Sequence, residues 1–211
     1  MATGFKINYT QEKDDMTLFF TSDEHLGHFN IIKHCNRPFS SALEMDSTII
    51  ERFNARVCPE DTVYHLGDFV WHEPHEGMQL KRLNGHHKLV PGNHDRCHPS
   101  KGRYLAARKQ YERWGFEVLE AKIEMDFPLL GHVLLTHFPE KRCVVTTDPH
   151  IDVRYPEWRP NYDGICLCGH IHNQWKTRQK CINVSVDVWG FAPVSEAELV
   201  PLVNKLRTTM L

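Results

Sequence analysis

Five short apolar runs in this chain end in the same kinds of residue. The runs 17–22 (TLFFTS), 62–66 (TVYHL), 87–90 (HKLV), 132–136 (HVLLT) and 164–168 (GICLC) are rich in Val, Ile, Leu, Phe and Thr. They are bounded by Gly, Pro, Asp or Asn, as β-strands are. Beyond them stand Asp23 and His25, then Gly67 and Asp68, then Gly92, Asn93, His94 and Asp95, then His137, and last Gly169, His170 and His172. Random surface polarity has no reason to mark one end of five strands. In open α/β sheets, loops at the carboxyl ends of strands converge on a common site. The pattern therefore restricts the chain to a layered α/β fold whose strand tips meet.

Helices are expected between the strands. Ser41 with Glu44 reads as a capping box, and Ile49, Ile50, Phe53 and Val57 repeat at helical spacing, predicting a helix over 42–57. A second is expected over 100–114, with Gly115 placed to end it. A weaker one covers 75–83, and 181–188 (CINVSVDV) reads as a sixth strand. The C-terminal PVSEAELVPLVNKLR is ambiguous, because Ser195 and Glu198 resemble a cap while Pro201 disturbs a helix interior. A long irregular segment, 139–163, carries Arg142, Arg154 and Arg159 beside Tyr155, Trp158 and Tyr162. A loop of that length is either functional or a solvated excursion. The 211 residues, 41% hydrophobic, suit a single domain over 1–211.

A net charge of -2 argues against a nucleic-acid-coating surface, so no stable nucleic-acid complex is expected. Seven cysteines, an odd number without a CxxC pair, and a start that is no signal peptide point to reduced thiols in a cytoplasmic protein. No apolar run approaches the ~20 residues of a membrane span. The count that stands out is 15 histidines, the commonest metal-ligand residue type.

The residue types at the strand tips specify chemistry. Asp, Asn and His donors without a matching cysteine set suit Mn, Fe, Ni or Zn. In Asp23-x-His25 and His170-x-His172 the spacing puts both side chains on one side of an extended backbone. More ligands are present than one ion needs, and two ions sharing a bridging carboxylate would use them all. Such pairs, ~3.5–4 Å apart, drive in-line displacement at phosphorus. Taken singly, Asp23 is also a possible N-cap, Asp68 a turn former, His137 a core histidine, and His170 with His172 strand alternation. Their coincidence at five strand ends favours the site.

SDEH, LGDF, PGNHD, THFP and CGHIH, in that order, resemble the five signature blocks of the calcineurin-like metallophosphoesterase superfamily. The opening FTSDEHLGHFNIIKHCNRPF also resembles a small phosphoesterase branch found in bacteria and their phages. The resemblance implies an α/β fold, a four-layer α/β/β/α sandwich of two mixed sheets flanked by helices. It implies one divalent ion on Asp23, His25, Asp68 and His172, and a second on Asp68, Asn93, His137 and His170, with Asp68 bridging and manganese expected first. A hydroxide shared by the ions would attack phosphorus in line, and His94 would protonate the leaving oxygen. Asp95 is expected to fix the turn by accepting backbone N–H bonds.

Departures from the family bear on substrate. Protein phosphatases carry GDxVDRG, whereas this chain has GDFVWHEP, with Trp71 and His72 at the later positions, which leaves His94 without its usual partner and Glu73 as a candidate substitute. Nuclease relatives add a cap domain for which 211 residues leave no room. A nucleotide-sized phosphodiester is the first expectation, a small phosphomonoester the second, and a non-catalytic scaffold of the same fold the third. A scaffold would be expected to lose ligands, and none is lost. His28 and Arg37 are candidate substrate-binding residues beside the site, His28 alternatively starting a helix, Arg142 and Arg159 are candidate phosphate clamps, and Trp71 or Trp158 a surface for a base. His65, His72, His75, His86, His87, His98, His132 and His150 are left to surface or packing.

Overall fold

Alternation along each strand sorts the chain into layers. A computed structural model describes residues 16–71, 79–143 and 155–208. In β1 (Leu18–Thr21), β2 (Thr62–His65) and β3 (His86–Leu89), Phe19, Val63 and Leu89 face one core, while Phe20, Tyr64 and the following Val90 face another. A one-residue slip would carry those side chains to the wrong face, at about 1.5–3 kcal/mol for each large apolar group. The first sheet runs β10-β1-β2-β3-β4, with β4 at Phe116–Val118 and β10 (Val194–Ser195) antiparallel to β1. The contacts β1–β2, β2–β3 and β3–β4 are parallel.

The second sheet runs β5-β6-β7-β9-β8, from β5 (Lys122–Phe127), β6 (Gly131–Thr136), β7 (Cys166–Cys168), β8 (Thr177–Arg178) and β9 (Cys181–Asn183). Here β6, β7 and β9 are parallel, and β5 and β8 pair antiparallel at the edges. Val133, Leu135, Leu167 and Ile182 pack against Phe20, Tyr64 and Val90 in the core between the sheets. The outer face carries Leu134 with Cys143, Cys166, Cys168 and Cys181. Two mixed sheets with helices against them are the architecture expected.

On the first sheet's outer face lie α1 (Phe29–His34), α2 (Ala42–Asn54) and α3 (Tyr104–Trp114). Ser41 Oγ accepts the Glu44 N–H at the start of α2, but the Glu44 carboxylate returns to Ser40. Gly115 ends α3 at φ 119°, a conformation that needs no Cβ. Proline does not break α4 (Glu196–Thr208). Pro201 is exposed in its second turn, and Ser195 and Glu198 cap the start reciprocally. The helix is anchored by Leu199 and Val203 in the inter-sheet core.

Some expectations change. The run 181–188 is a strand only to Asn183, and Val186–Val188 form a 3-10 turn. Strands β4, β5, β8 and β10 were not expected, and His28 starts the short α1. The helix over 75–83 begins outside the described residues, as does the middle of 139–163. Among the described residues, no helix is long and apolar enough to cross a membrane.

Candidate metal centre

Carboxyl ends of β1, β2 and β3 in one sheet and β6, β7 and β9 in the other come to the same edge. Backbone bonds continue past the strands there. Asp23 N–H donates to Gly67 O at 2.9 Å, and His25 N–H to Asp68 O at 3.0 Å. Ser22 and Ser185 form an isolated parallel bridge that joins the two sheets. Close approach requires glycine: a Cβ on Gly67 would lie 2.7 Å from His137 Nδ1, and one on Gly169 would fall on Ser22 Oγ and the Asp23 carboxylate.

The tips of these strands are strained in one way. Asp23, His25, Asp68, His170 and His172 have φ of 58°, 50°, 59°, 71° and 47°. Non-glycine residues avoid this region, at a cost of about 1 kcal/mol or more each. Five expected ligands sharing that cost is what a site held by its surroundings displays.

Asp68 stands at the middle. Its Oδ2 is 3.5 Å from His25 Nε2, 3.3 Å from His137 Nε2 and 4.0 Å from His94 Nε2, and its Oδ1 accepts the His94 N–H at 2.8 Å. His172 Nε2 is 4.0 Å from Asp23 Oδ1, whose carboxylate also accepts the His170 N–H. Asn93 Oδ1 is 3.0 Å from His137 Nε2. Ligand atoms of Asp23, His25 and His172 lie within 4.8 Å of one another, as do those of Asp23, Asp68 and His137. Asp23, His25, Asp68, Asn93, His137 and His172 are thus brought together, and the His170 ring centroid lies 5.1 Å from that of His137.

Electrostatics within the cluster are those of a cradle for a cation. Burial opposes ionisation of Asp68, yet His137, His94 and His25 hold its carboxyl well below the usual range. Burial would also depress His137, but the Asp68 carboxylate outweighs it and raises the imidazole to about 9. His172 is raised in the same way, against burial, by Asp23 and Asp187. Burial drives His25 and His170 well down, so both are neutral. The Nε2 atoms of His25 and His170 are buried without a hydrogen-bond partner. Orphaned nitrogens, a carboxylate-centred cluster and oxygen-nitrogen donors fit a divalent cation.

Orientation comes from a layer behind the ligands. His137 Nδ1 donates to Leu66 O at 2.7 Å, and His172 Nδ1 is 3.0 Å from Asp187 Oδ2. Asp187 is in turn held by Arg37, whose Nε and Nη2 each donate at 2.8 Å. The other Arg37 bonds go to the carbonyls of Asp23 and Glu24 and to Met45 Sδ. Arg37 therefore does not face substrate: it clamps the Asp23 loop to the carboxylate that aims His172. Asn183 Nδ2 adds bonds to the carbonyls of His172 and Trp175. Sequence reasoning missed Asp187 and Asn183, though the rule of polar residues at strand ends, applied to 181–188, points to Asp187. Asp95 accepts the N–H groups of Gly92, Asp68 and Phe69, as expected.

A cavity of about 470 Å³ opens over the cluster, lined by His25, His28, Trp71, His94, His170 and His172 among others. His28 stacks on Trp71 at 3.6 Å and sits 3.3 Å from His25 Nδ1, where burial depresses its imidazole to about 4. The two clamp candidates diverge. Arg142 is exposed and does not line this cavity, being engaged by Glu140, Asp163 and the carbonyl of Tyr162. Arg159 is buried, and its charge helps keep His170 neutral. Trp158 is also elsewhere, edge-on to His98 at 4.6 Å. Glu73 lies outside the described residues. Two histidines left to packing matter inside the first sheet: His65 bonds Glu24 at 2.7 Å and His87 at 3.1 Å. Burial raises Glu24 to about 8 and lowers His65 to about 3, so neutral groups share that bond.

Residues 16–191 match the sequence profile of the calcineurin-like phosphoesterase superfamily domain. The chain belongs to that superfamily. An uncharacterized protein of Methanocaldococcus jannaschii (MJ1445) is 30% identical over 198 residues, 89% of this chain and 92% of the relative. The Gene 66 protein of Mycobacterium phage L5 is 30% identical over 205 residues, 90% of this chain and 95% of the relative. The crystal structure of a protein of unknown function from Aquifex aeolicus, AQ665, superposes with a TM-score of 0.65 at 27% identity, covering 89% of this chain and all of that one. Superfamily membership with clustered ligand residues supports a metal-dependent phosphoesterase.

Proposed function

We propose that this phosphoesterase is binuclear and hydrolyses a nucleotide-sized phosphodiester. The observation that carries the reading is the position of Asp68, whose Oδ2 stands 3.5 Å from His25 Nε2 on one side and 3.3 Å from His137 Nε2 on the other. Asp23, His25, Asp68 and His172 would hold one divalent ion, and Asp68, Asn93, His137 and His170 the second. Two such ions would lower the pKa of a water at the site and neutralise charge on the phosphoryl oxygens. Asp68 positions both halves and, through His94 N–H, the turn that carries the proton donor. His94, whose side chain is 36% exposed, is the donor toward the leaving oxygen. Burial lowers its imidazole, and the Asp68 carboxylate 4.0 Å away offsets part of that by favouring the protonated form. Asp187 with Arg37 holds the His172 ring in one orientation. A cavity of about 470 Å³ suits a ligand of nucleotide size.

Manganese is the first metal to supply, with iron, nickel and zinc as alternatives. Metal-free protein given Mn²⁺ should hydrolyse bis-p-nitrophenyl phosphate at least tenfold better than p-nitrophenyl phosphate, with two ions per chain by elemental analysis. The reverse preference would make it a monoesterase. No turnover with any of the four metals would favour the scaffold.

A further inference from the structure

His94 lines a second cavity as well as the metal cavity. This groove, about 530 Å³, runs from His94 along α3 past Arg96, Lys101, Arg103, Gln110 and Arg113. Its described lining is strongly basic and holds no acidic side chain. Arg103, Ala107, Gln110 and Arg113 recur every three or four residues, which puts them on one helix face. Among the described residues, Lys101, Arg103 and Arg113 form no ion pair, although such pairs are common elsewhere on this surface.

The placement opposes helix stability. Arg103 is the N-cap of α3 without a side-chain capping bond, Lys101 is two residues before it, and the first turn contains no acidic residue. Cations at the positive end of a helix dipole are unfavourable where anions are favourable. A bound anion reverses that sign. The chain's net charge of -2 hides this patch, because compensating acids lie elsewhere.

We infer that the substrate carries at least one further phosphate on its leaving-group side, and that the groove of Lys101, Arg103 and Arg113 holds it. The inference rests on the phosphodiester reading for its direction, because the group that His94 protonates departs past His94 and into the groove. Its chemistry is a phosphate two or more bonds beyond the scissile one. A short oligonucleotide and a nucleoside polyphosphate both supply that, and guanidinium groups bind either through paired N–H donors. A substrate with a single phosphate would leave the groove without an anion.

Two measurements test it. In metal-free protein, inorganic tripolyphosphate titrated by calorimetry should bind, and Arg103→Glu with Arg113→Glu should weaken binding at least tenfold. Lys109→Glu, on the same helix but outside the groove, should change it less than twofold. Absent binding, or equal weakening by all of these variants, overturns the groove whatever the enzyme hydrolyses. With Mn²⁺, kcat/KM is then compared for bis-p-nitrophenyl phosphate, a thymidine dinucleotide, a thymidine tetranucleotide and diadenosine tetraphosphate. At least one polyanionic substrate should be preferred tenfold or more, and the double reversal should erase the preference through KM rather than kcat. Preference for the tetranucleotide assigns an oligonucleotide and preference for diadenosine tetraphosphate a polyphosphate. If the double reversal moves all four substrates by one factor, the groove takes no part in substrate choice. Failure of every substrate to turn over defeats the phosphodiester reading alone, since the calorimetry still decides whether the groove binds polyphosphate.

Discussion

The first sheet delivers Asp23, Asp68 and Asn93 with His25 to the common edge, whereas the second delivers His137, His170 and His172 and no carboxylate or amide among the proposed ligands. Neither set is self-sufficient. Asp23, from the first sheet, has its carboxylate fixed by the His170 N–H of the second. His137, from the second, is oriented by the Leu66 carbonyl of the first. Negative charge therefore enters from the first sheet and most of the ring nitrogen from the second, and Asp23 and His137 are each aimed by the opposite sheet. The arrangement explains the opposed shifts: Asp68 is held ionised while His137 and His172 are pushed toward the protonated form. A divalent cation would take the place of those protons, and uptake would release them.

The largest test of the asymmetry compares one residue from each side. Asp68→Asn keeps the shape of the first-sheet ligand but removes the charge that His25, His137 and His94 share, and activity should fall more than about a hundredfold, with loss of bound metal. His137→Ala, from the second sheet, should cost less metal per chain. Equal metal content in the two variants, read by elemental analysis, would erase the distinction between the sheets.

A smaller effect is expected behind the ligands, where the second sheet supplies its own orienting carboxylate. Asp187→Asn should weaken metal affinity by about 10–100-fold without unfolding the chain, since Asn can still accept from Arg37. Competition with a fluorescent chelator reads this directly. An unchanged affinity would mean that the His172 ring is held by its backbone alone.

The mildest test concerns the first sheet's interior. His65 and His87 are each buried with imidazoles depressed to about 3. Unfolded histidines bind protons below about pH 6.5, while these do so only near 3 when folded. The contribution of these two histidines should be fully present above about pH 6.5 and fall as pH drops towards 3, by up to about 1.4 kcal/mol per pH unit for each proton. Urea midpoints of the parent and of His87→Leu between pH 7 and 5 measure it: the variant should show the shallower fall. Parallel curves would mean that His87 takes no part.

Local pattern made much of this protein legible. Apolar runs ending in Asp, Asn or His marked the parallel strands, and a capping serine and a terminal glycine bounded helices α2 and α3, because those signals depend on neighbours a few residues away. Other elements gave weaker local signals. KIEMDF alternates with Ile123 and Met125 only half buried, so β5 resembles an amphipathic surface segment until β6 pairs with it. Pro201 argues against a helix that Leu199 and Val203 nonetheless anchor. Arg37 sits in a block that looked substrate-facing, yet its bidentate partner is Asp187, 150 positions away. The sequence by itself determined which residue types would stand at the strand tips, and so the class of ion and ester they suit. Tertiary structure alone decided which tips share a carboxylate, which arginine is a clamp and that His94 separates two cavities. Those outcomes depend on the approach of two sheets across a few ångströms, and such distances are set by packing between segments remote in the chain.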